Sequence, residues 1–382
     1  MQSHALQHLQ TSRRLVIKIG SALLCDITNG TIKQSWINAL SDDIHVLIQK
    51  KIEVVVVSSG GIAMGRKALG IGPKQSPSSI PLPLKQAASA VGQPIMYDAY
   101  VAAFARHELQ TAQVLLTLSE TENRRMHLNA RETLNTLLGR GIVPIINEND
   151  SISTEEIRFG DNDRLAVRVA QMVEADTVLL LSTISGFYSA NPDTNADARH
   201  FPLVEKITDD HKNMAGEALA GLSTGGMRSK VLAAESAMNS GISLIIADGR
   251  EDGALGHLLE KPEVRATLFR AESAMQNARK RWLGGHLKPK GALVIDAGAA
   301  TALRSGKSLL PVGVRYIEGD FARGDMLAIK DEAGRELGRG LSAYDAPEAE
   351  KLIGQPSSAI PAILGYSGRE EFIHRNDMVL NA

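Results

Sequence analysis

Up to about Gly256 the chain alternates short, unbroken runs of Val, Ile and Leu with longer stretches of helical pattern, and few folds accept that rhythm. The runs Leu15–Ile19, Val54–Val57, Gln113–Leu116, Ile142–Ile146, Val178–Leu181 and Leu244–Ile246 predict strands. Between them, Ile37–Lys50, Leu84–His107, Arg124–Leu138 and Asp163–Glu174 predict helices. Strands that do not alternate polar with apolar residues are buried on both faces, which argues for an α/β fold with a largely parallel sheet sandwiched by helices. Right-handed crossovers then bring the C-terminal ends of the strands, and the loops after them, to one edge. Open sheets of this kind bind ligands there.

The texture changes after Arg270. "AMQNARKRWL" reads as a charged helical connector and "GGHLKPKG" as a linker. From Ala292 the short runs "ALVID", "VRYI", "MLAIK" and "EFIH" are broken by Gly, Asp and Ser, the pattern of a small β-rich module. The expected organisation is an α/β domain over 1–260, a connector and linker over 261–287, and a β-rich domain over 288–382.

Charge excludes little and suggests no polyanion. Lys and Arg total 42 against 43 Asp and Glu, a formal net charge of −1. The segment from residue 288 onward holds 12 Lys and Arg against 13 Asp and Glu, a poor footprint for nucleic acid. The one cysteine, Cys25, has no partner for an intramolecular disulfide. "MQSHALQHLQTSRR" lacks a signal-peptide core, and no run approaches the roughly 20 apolar residues of a membrane span. These features predict a soluble, cytoplasmic protein.

Polar residues gather at the predicted strand ends. Lys18 lies near the end of "LVIKIGS", where burying a lysine is costly unless an anion meets it; it is equally readable as a lysine that snorkels to the sheet rim. In "VVVVSSGGIAMG", Ser58, Ser59, Gly60 and Gly61 lead into a helix near Ile62, either as an anion-binding turn or as an ordinary serine-capped one. "IVPIINENDSIS" ends a buried strand in Asn147, Glu148, Asn149 and Asp150, and "FGDNDRLAVRVA" opens a helix with Asp161, Asn162 and Asp163. Two such clusters at one edge suit a metal, a cationic substrate group or a pair of lysines. "STGGMRSK" has glycines, hydroxyls and a lysine without the P-loop spacing. Met227, Val231, Ala234 and Met238 form an apolar helical stripe there, with Lys230 beside it, so Thr224, Gly225 and Gly226 fall at a helix N-terminus suited to phosphate. Gly306-Lys307-Ser308 lacks the earlier glycine of a P-loop and reads as a turn.

In this order, "VIKIGS", "VVSSGGIAMG", "IINEND", "FGDND" and "STGGMRSK" resemble the amino-acid kinase family, and the tail resembles a PUA domain. The resemblance covers nearly the whole chain and is nearest to the branch that acts on glutamate. It implies ATP- and Mg²⁺-dependent phosphorylation of the L-glutamate side-chain carboxylate to L-glutamyl 5-phosphate, the first step of proline synthesis. A carboxylate is ionised at neutral pH, so its attack needs no general base, which agrees with the lack of a His or Cys catalytic constellation. By resemblance, Lys18 and Lys230 stabilise the transferred phosphoryl group and Asp163 orients them. Ser59, Asp150 and Asn162 hold glutamate, with Gly60 and Asn147 as neighbours. ATP falls to Lys18, Ser182, Thr183, Thr224, Gly225, Gly226, Met227, Arg228, Ser229 and Lys230, and no protein metal ligand is assigned.

One departure stands out. The family usually carries Thr-Asp, or Ser/Thr-Asp, after the strand "VLLL", whereas Ser182-Thr183-Ile184-Ser185 contains no acid. The resemblance further implies a homo-oligomer (dimer or tetramer), proline as feedback inhibitor acting through the loop Asn147–Gly160, and coupling to glutamyl-phosphate reductase. It implies neither a nucleic-acid nor a membrane partner. The alternatives are kinases of the same fold acting on acetylglutamate, aspartate, carbamate or UMP, and an RNA-binding PUA protein.

Overall fold

The computed structural model describes residues 3–26, 30–72, 75–76, 79–152, 161–216, 226–272 and 289–381. The expected connector "AMQNARKRWL", Thr224, Gly225 and the loop segment 153–160 lie outside the described residues. The chain divides into two units, Met1–Glu122 with Asn129–Met275, and Asn123–Leu128 with Gln276–Ala382.

Among the described residues the main sheet of the first unit has eight strands: β1 Arg14–Ile19, β2 Glu53–Val57, β3 Thr111–Leu116, β4 Val143–Glu148, β5 Thr177–Ser182, β6 Leu203–Val204, β7 Ser243–Asp248 and β8 Ala266–Phe269. Their order is β6-β8-β7-β5-β1-β2-β4-β3. The six from β3 to β7 in that order are mutually parallel. β1 lies at the centre, with Lys18 opposite Val57 on one side and Leu180 on the other.

Apolar runs can occupy these positions because the sheet is covered on both faces. Leu15, Ile17 and Ile19 of β1 enter one core with the helices α1 His4–Thr11, α2 Gln34–Gln49 and α4 Leu82–Ala105. Val16 points the other way, into a second core with α5 Arg124–Gly139, α6 Asp161–Met172 and α7 Met227–Asn239. The two-residue strand period puts Lys18 on that second face, with α6 and α7.

α4 crosses the short helix α3 Gly61–Gly65 at backbone contact. A Cβ on Gly92 would stand 1.8 Å from the carbonyl oxygen of Gly61, so only glycine fits at that crossing. The seam holds the turn after β2 firmly against α4.

Several expectations need correction. β4 runs through Glu148 and not only to Ile146, so Asn147 and Glu148 are strand residues. β8 pairs antiparallel with β7, and β6 parallel with β8, so two short strands run against the rest. Neither was expected, because two- and four-residue pieces carry no measurable periodicity.

Among the described residues the second unit has five strands, β9 Gly291–Ile295, β10 Val314–Glu318, β11 Met326–Asp331, β12 Glu336–Leu341 and β13 Met378–Leu380. Their order is β10-β9-β11-β12-β13, parallel at β9/β11 and antiparallel elsewhere. "EFIH" is not a strand: Ile373 makes only an isolated bridge to Leu309, and Phe372 and Ile373 are buried side by side without alternating. "ELGRGL" is a strand despite its two glycines, a tertiary override of weak propensity. Gly306-Lys307-Ser308 is the turn after the helix Ala297–Arg304, with Gly306 at φ +79°. Among the described residues no helix is long and apolar enough to cross a membrane.

Candidate active site

Three elements meet where β1 ends. Lys18 projects from β1, Asp163 from the first turn of α6, and Lys230 from the first turn of α7. Lys18 Nζ lies 2.6 Å from Asp163 Oδ1, and Lys230 Nζ donates to Asp163 Oδ2 at 3.0 Å. Exposure is 0% for Asp163, 7% for Lys18 and 6% for Lys230, so these are not rim pairs. Ser229 Oγ also donates to Asp163 Oδ2, at 3.2 Å.

The electrostatics follow from that enclosure. Burial alone would raise the Asp163 carboxyl, but the two lysines overcome it and hold the group below the usual carboxylate range. Burial pushes the Lys230 ammonium down, with Asp163 opposing and Lys18 reinforcing the fall. Three buried charges with one net positive make a place prepared for an anion. Lys230 was expected beside the helix stripe, yet it is buried together with Val231, Ala233, Ala234 and Ala237, while Met227 is only half-buried. The inner face of α7 is thus rotated toward the lysine.

A second constellation lies next to the first. Asn162 Nδ2 donates to Ser58 O at 2.8 Å, Ser59 Oγ at 2.7 Å and Asn147 Oδ1 at 3.0 Å. One amide therefore ties the start of α6 to the ends of β2 and β4. Gly60 turns the chain at φ +113°, and a Cβ there would meet Cys25 Sγ at 3.1 Å. No serine side chain caps α3, so the ordinary capping interpretation of "SSGG" does not hold. Asp150 is buried and accepts from Ser89 Oγ at 2.7 Å. Ser89 and Gln93 of α4 were not anticipated; only their burial marks them within an ordinary helical pattern.

The residues expected at the nucleotide are less concentrated. Gly226 is the N-cap of α7 with open space where a Cβ would be, Arg228 is exposed, and Ser229 is half-buried beneath them. Ser182 ends β5 half-buried, its carbonyl accepting from Gly249 N at 2.7 Å, and Thr183 is exposed. The nearest strand-end acid, Asp248 opposite Ser182, bonds instead to Arg250, including Nε to both carboxylate oxygens at 3.0 Å. The arginine-bearing start of α7, a buried lysine pair and a shell of small polar groups lie together at the C-terminal strand edge, an arrangement that can hold an anionic phosphoryl group.

The profile of the amino acid kinase family matches residues 13–248 and that of the PUA domain residues 291–364. The chain belongs to the amino acid kinase family. It is 50% identical over 372 residues to the glutamate 5-kinase of a Ruegeria species, covering 97% of this chain and 99% of that one. It is likewise 50% identical over 377 residues to the glutamate 5-kinase of Brucella ovis, covering 99% and 98%. Among solved structures, the UMP kinase from Ureaplasma parvum aligns over 68% of this chain and 98% of its own, at 18% identity and a TM-score of 0.49.

Proposed function

We propose that the chain transfers the terminal phosphoryl group of ATP to the side-chain carboxylate of L-glutamate, forming L-glutamyl 5-phosphate for proline synthesis. The observation that carries this is the buried Lys18–Asp163–Lys230 set, supported by the full-length similarity to glutamate 5-kinases. The nucleophile is an anion approaching a polyanion, so the reaction needs charge relief and alignment more than a base. Lys18 and Lys230 provide that charge at the transferring group, and Asp163 fixes the two ammonium groups. At a separation of 4 Å each lysine is worth about 4 kcal/mol against a unit negative charge at a protein-like dielectric.

Asp150 suits the ammonium of glutamate; Ser59, Asn162, Asn147 and the Gly60 turn suit its carboxylates. Gly226, Met227, Arg228 and Ser229 open α7 toward the ATP phosphates, and Ser182 and Thr183 border the nucleotide. Among the described residues no three His, Cys, Asp or Glu side chains gather around a metal position. Mg²⁺ fits as a companion of the triphosphate, since it keeps most of its ligands from phosphate and water and adds positive charge there. A cytoplasmic homo-oligomer that feeds glutamyl-phosphate reductase and responds to proline completes the proposal.

An ATP- and Mg²⁺-dependent hydroxamate assay with glutamate, acetylglutamate and aspartate in parallel is the test. Glutamate is expected to form the acyl phosphate, with proline raising its apparent KM and leaving that for ATP unchanged. Activity on acetylglutamate with none on glutamate overturns the assignment; inhibition that saturating glutamate does not relieve removes proline from this site.

A further inference from the structure

α4 turns a polar pair into an otherwise apolar interior. Ser89 and Gln93 stand one turn apart, 0% and 4% exposed, on the face that also carries Met96 and Tyr100. Gln93 Nε2 donates to Ser89 Oγ at 3.4 Å and to Glu148 O at 3.3 Å, and Ser89 Oγ donates to Asp150 Oδ2 at 2.7 Å. A serine hydroxyl has one proton. With Gln93 donating to its oxygen, that proton is directed to Asp150. The bonds run one way, from glutamine through serine to carboxylate.

We infer that Ser89 and Gln93 are positioning residues that aim Asp150 at the amino group of the acceptor, an inference that rests on the glutamate reading above. Two features argue against mere filling of space. Among the described residues nothing hydrogen-bonds the buried Gln93 Oε1, an arrangement that stability alone disfavours. Gly61 also presses on the pair, since a Cβ there would come within 3.0 Å of Gln93 Nε2 and 3.2 Å of Ser89 Oγ. The α3–α4 seam thereby holds the donors while β4 delivers the strand end that carries Asp150. A hydrogen bond to an ionised partner is among the stronger ones, and losing it loosens the hold on the carboxylate's orientation.

The experiment is steady-state kinetics on full-length Ser89→Ala, Asp150→Asn and the double variant, with glutamate and with glutarate, which lacks the amino group. Ser89→Ala is expected to raise the glutamate KM about tenfold, the loss typical of one hydrogen bond to a charged group, while kcat and the ATP KM stay within about twofold. Glutarate use is expected not to change, and Ser89→Ala is expected to add nothing in the Asp150→Asn background. Gln93→Met, a substitution of similar volume, is expected to shift the same parameter in the same direction and stands in if Ser89→Ala does not fold. Additive effects of Ser89→Ala and Asp150→Asn, or equal losses in glutamate KM, ATP KM and kcat, overturn the inference. A wild type inactive on glutamate sinks the functional reading instead. The cycle is then run on the acceptor the enzyme does use, where additivity still overturns the positioning role and non-additivity upholds it.

Discussion

Replacing Lys18 or Lys230 with Met lowers kcat by about two orders of magnitude or more, the size of losing one preorganised stabilising contact in a transition state. Methionine keeps much of the length and packs well in a buried site, so the change removes charge with little change of volume. Both ammonium groups are fixed on one carboxylate within 3.0 Å, which means neither must reorganise as charge develops on the phosphoryl group. The glutamate KM is expected to move far less, because in the proposed assignment the acceptor is held by the neighbouring Asn162 and Asp150 groups. Initial rates with ATP and glutamate varied independently measure the split. A folded variant with near-normal kcat would return that lysine to a purely structural role.

Asp163→Asn has the second large effect, and it reaches stability as well as rate. The substitution leaves two buried ammonium groups without a counter-charge, and breaking a buried pair in this way costs about 3–5 kcal/mol. kcat falls too, since the lysines lose the group that aligns them. The pH dependence has a definite sign. The folded pKa of Asp163 is depressed, so its contribution is fully present above the ordinary carboxylate value of about 3.9 and is lost as pH falls through the folded value. Lys230 has the same sign in a different window: its folded pKa is also depressed, so the unfolded chain binds more protons and stability rises with pH toward the ordinary lysine value of about 10.4. Urea denaturation across pH is expected to show the acid loss in the wild type and not in Asp163→Asn. The triple variant Lys18→Met, Asp163→Leu, Lys230→Met is expected to recover stability without recovering turnover, because an apolar set of similar volume needs no desolvation of charge. Stability of that triple variant no better than Asp163→Asn alone would mean that unpaired charge is not what destabilises the single variant.

How much of this could be read from the residues themselves depended on whether burial left a mark in the pattern. The central strands were legible because a strand covered on both faces carries few polar residues away from its ends, and "VVVV" has few other uses. β8 was not legible, since "ATLF" fits a strand, a helix fragment or a loop equally well and its direction is set by its pairing with β7 and β6. "EFIH" misled for a related reason: two adjacent buried residues look like a strand, but their backbone pairs with Leu309 and Ala343 at single points and forms no ladder. In the site, Lys18, Asp163 and Lys230 announced themselves as charges next to apolar runs. Ser89 and Gln93 did not, because serine and glutamine are unremarkable on a long helix and only the packing of α3 against α4 turns them inward. The rotation of α7 was hidden likewise, since a lysine's aliphatic stem lets it occupy a buried position that its charge appears to forbid.

The turn at Gly60 also gives the molecule a built-in reporter. The chain's one thiol, Cys25, is 2% exposed and packed beneath that turn, and burial raises its pKa to about 12 against a smaller opposing pull from Lys33. At neutral pH such a sulfur is neither a thiolate nor within reach of a reagent. Its alkylation must therefore wait for the cover to lift, and the alkylation rate counts how often the glycine turn opens. A ligand that braces the turn would slow the clock, while one bound elsewhere would leave it running at its own pace.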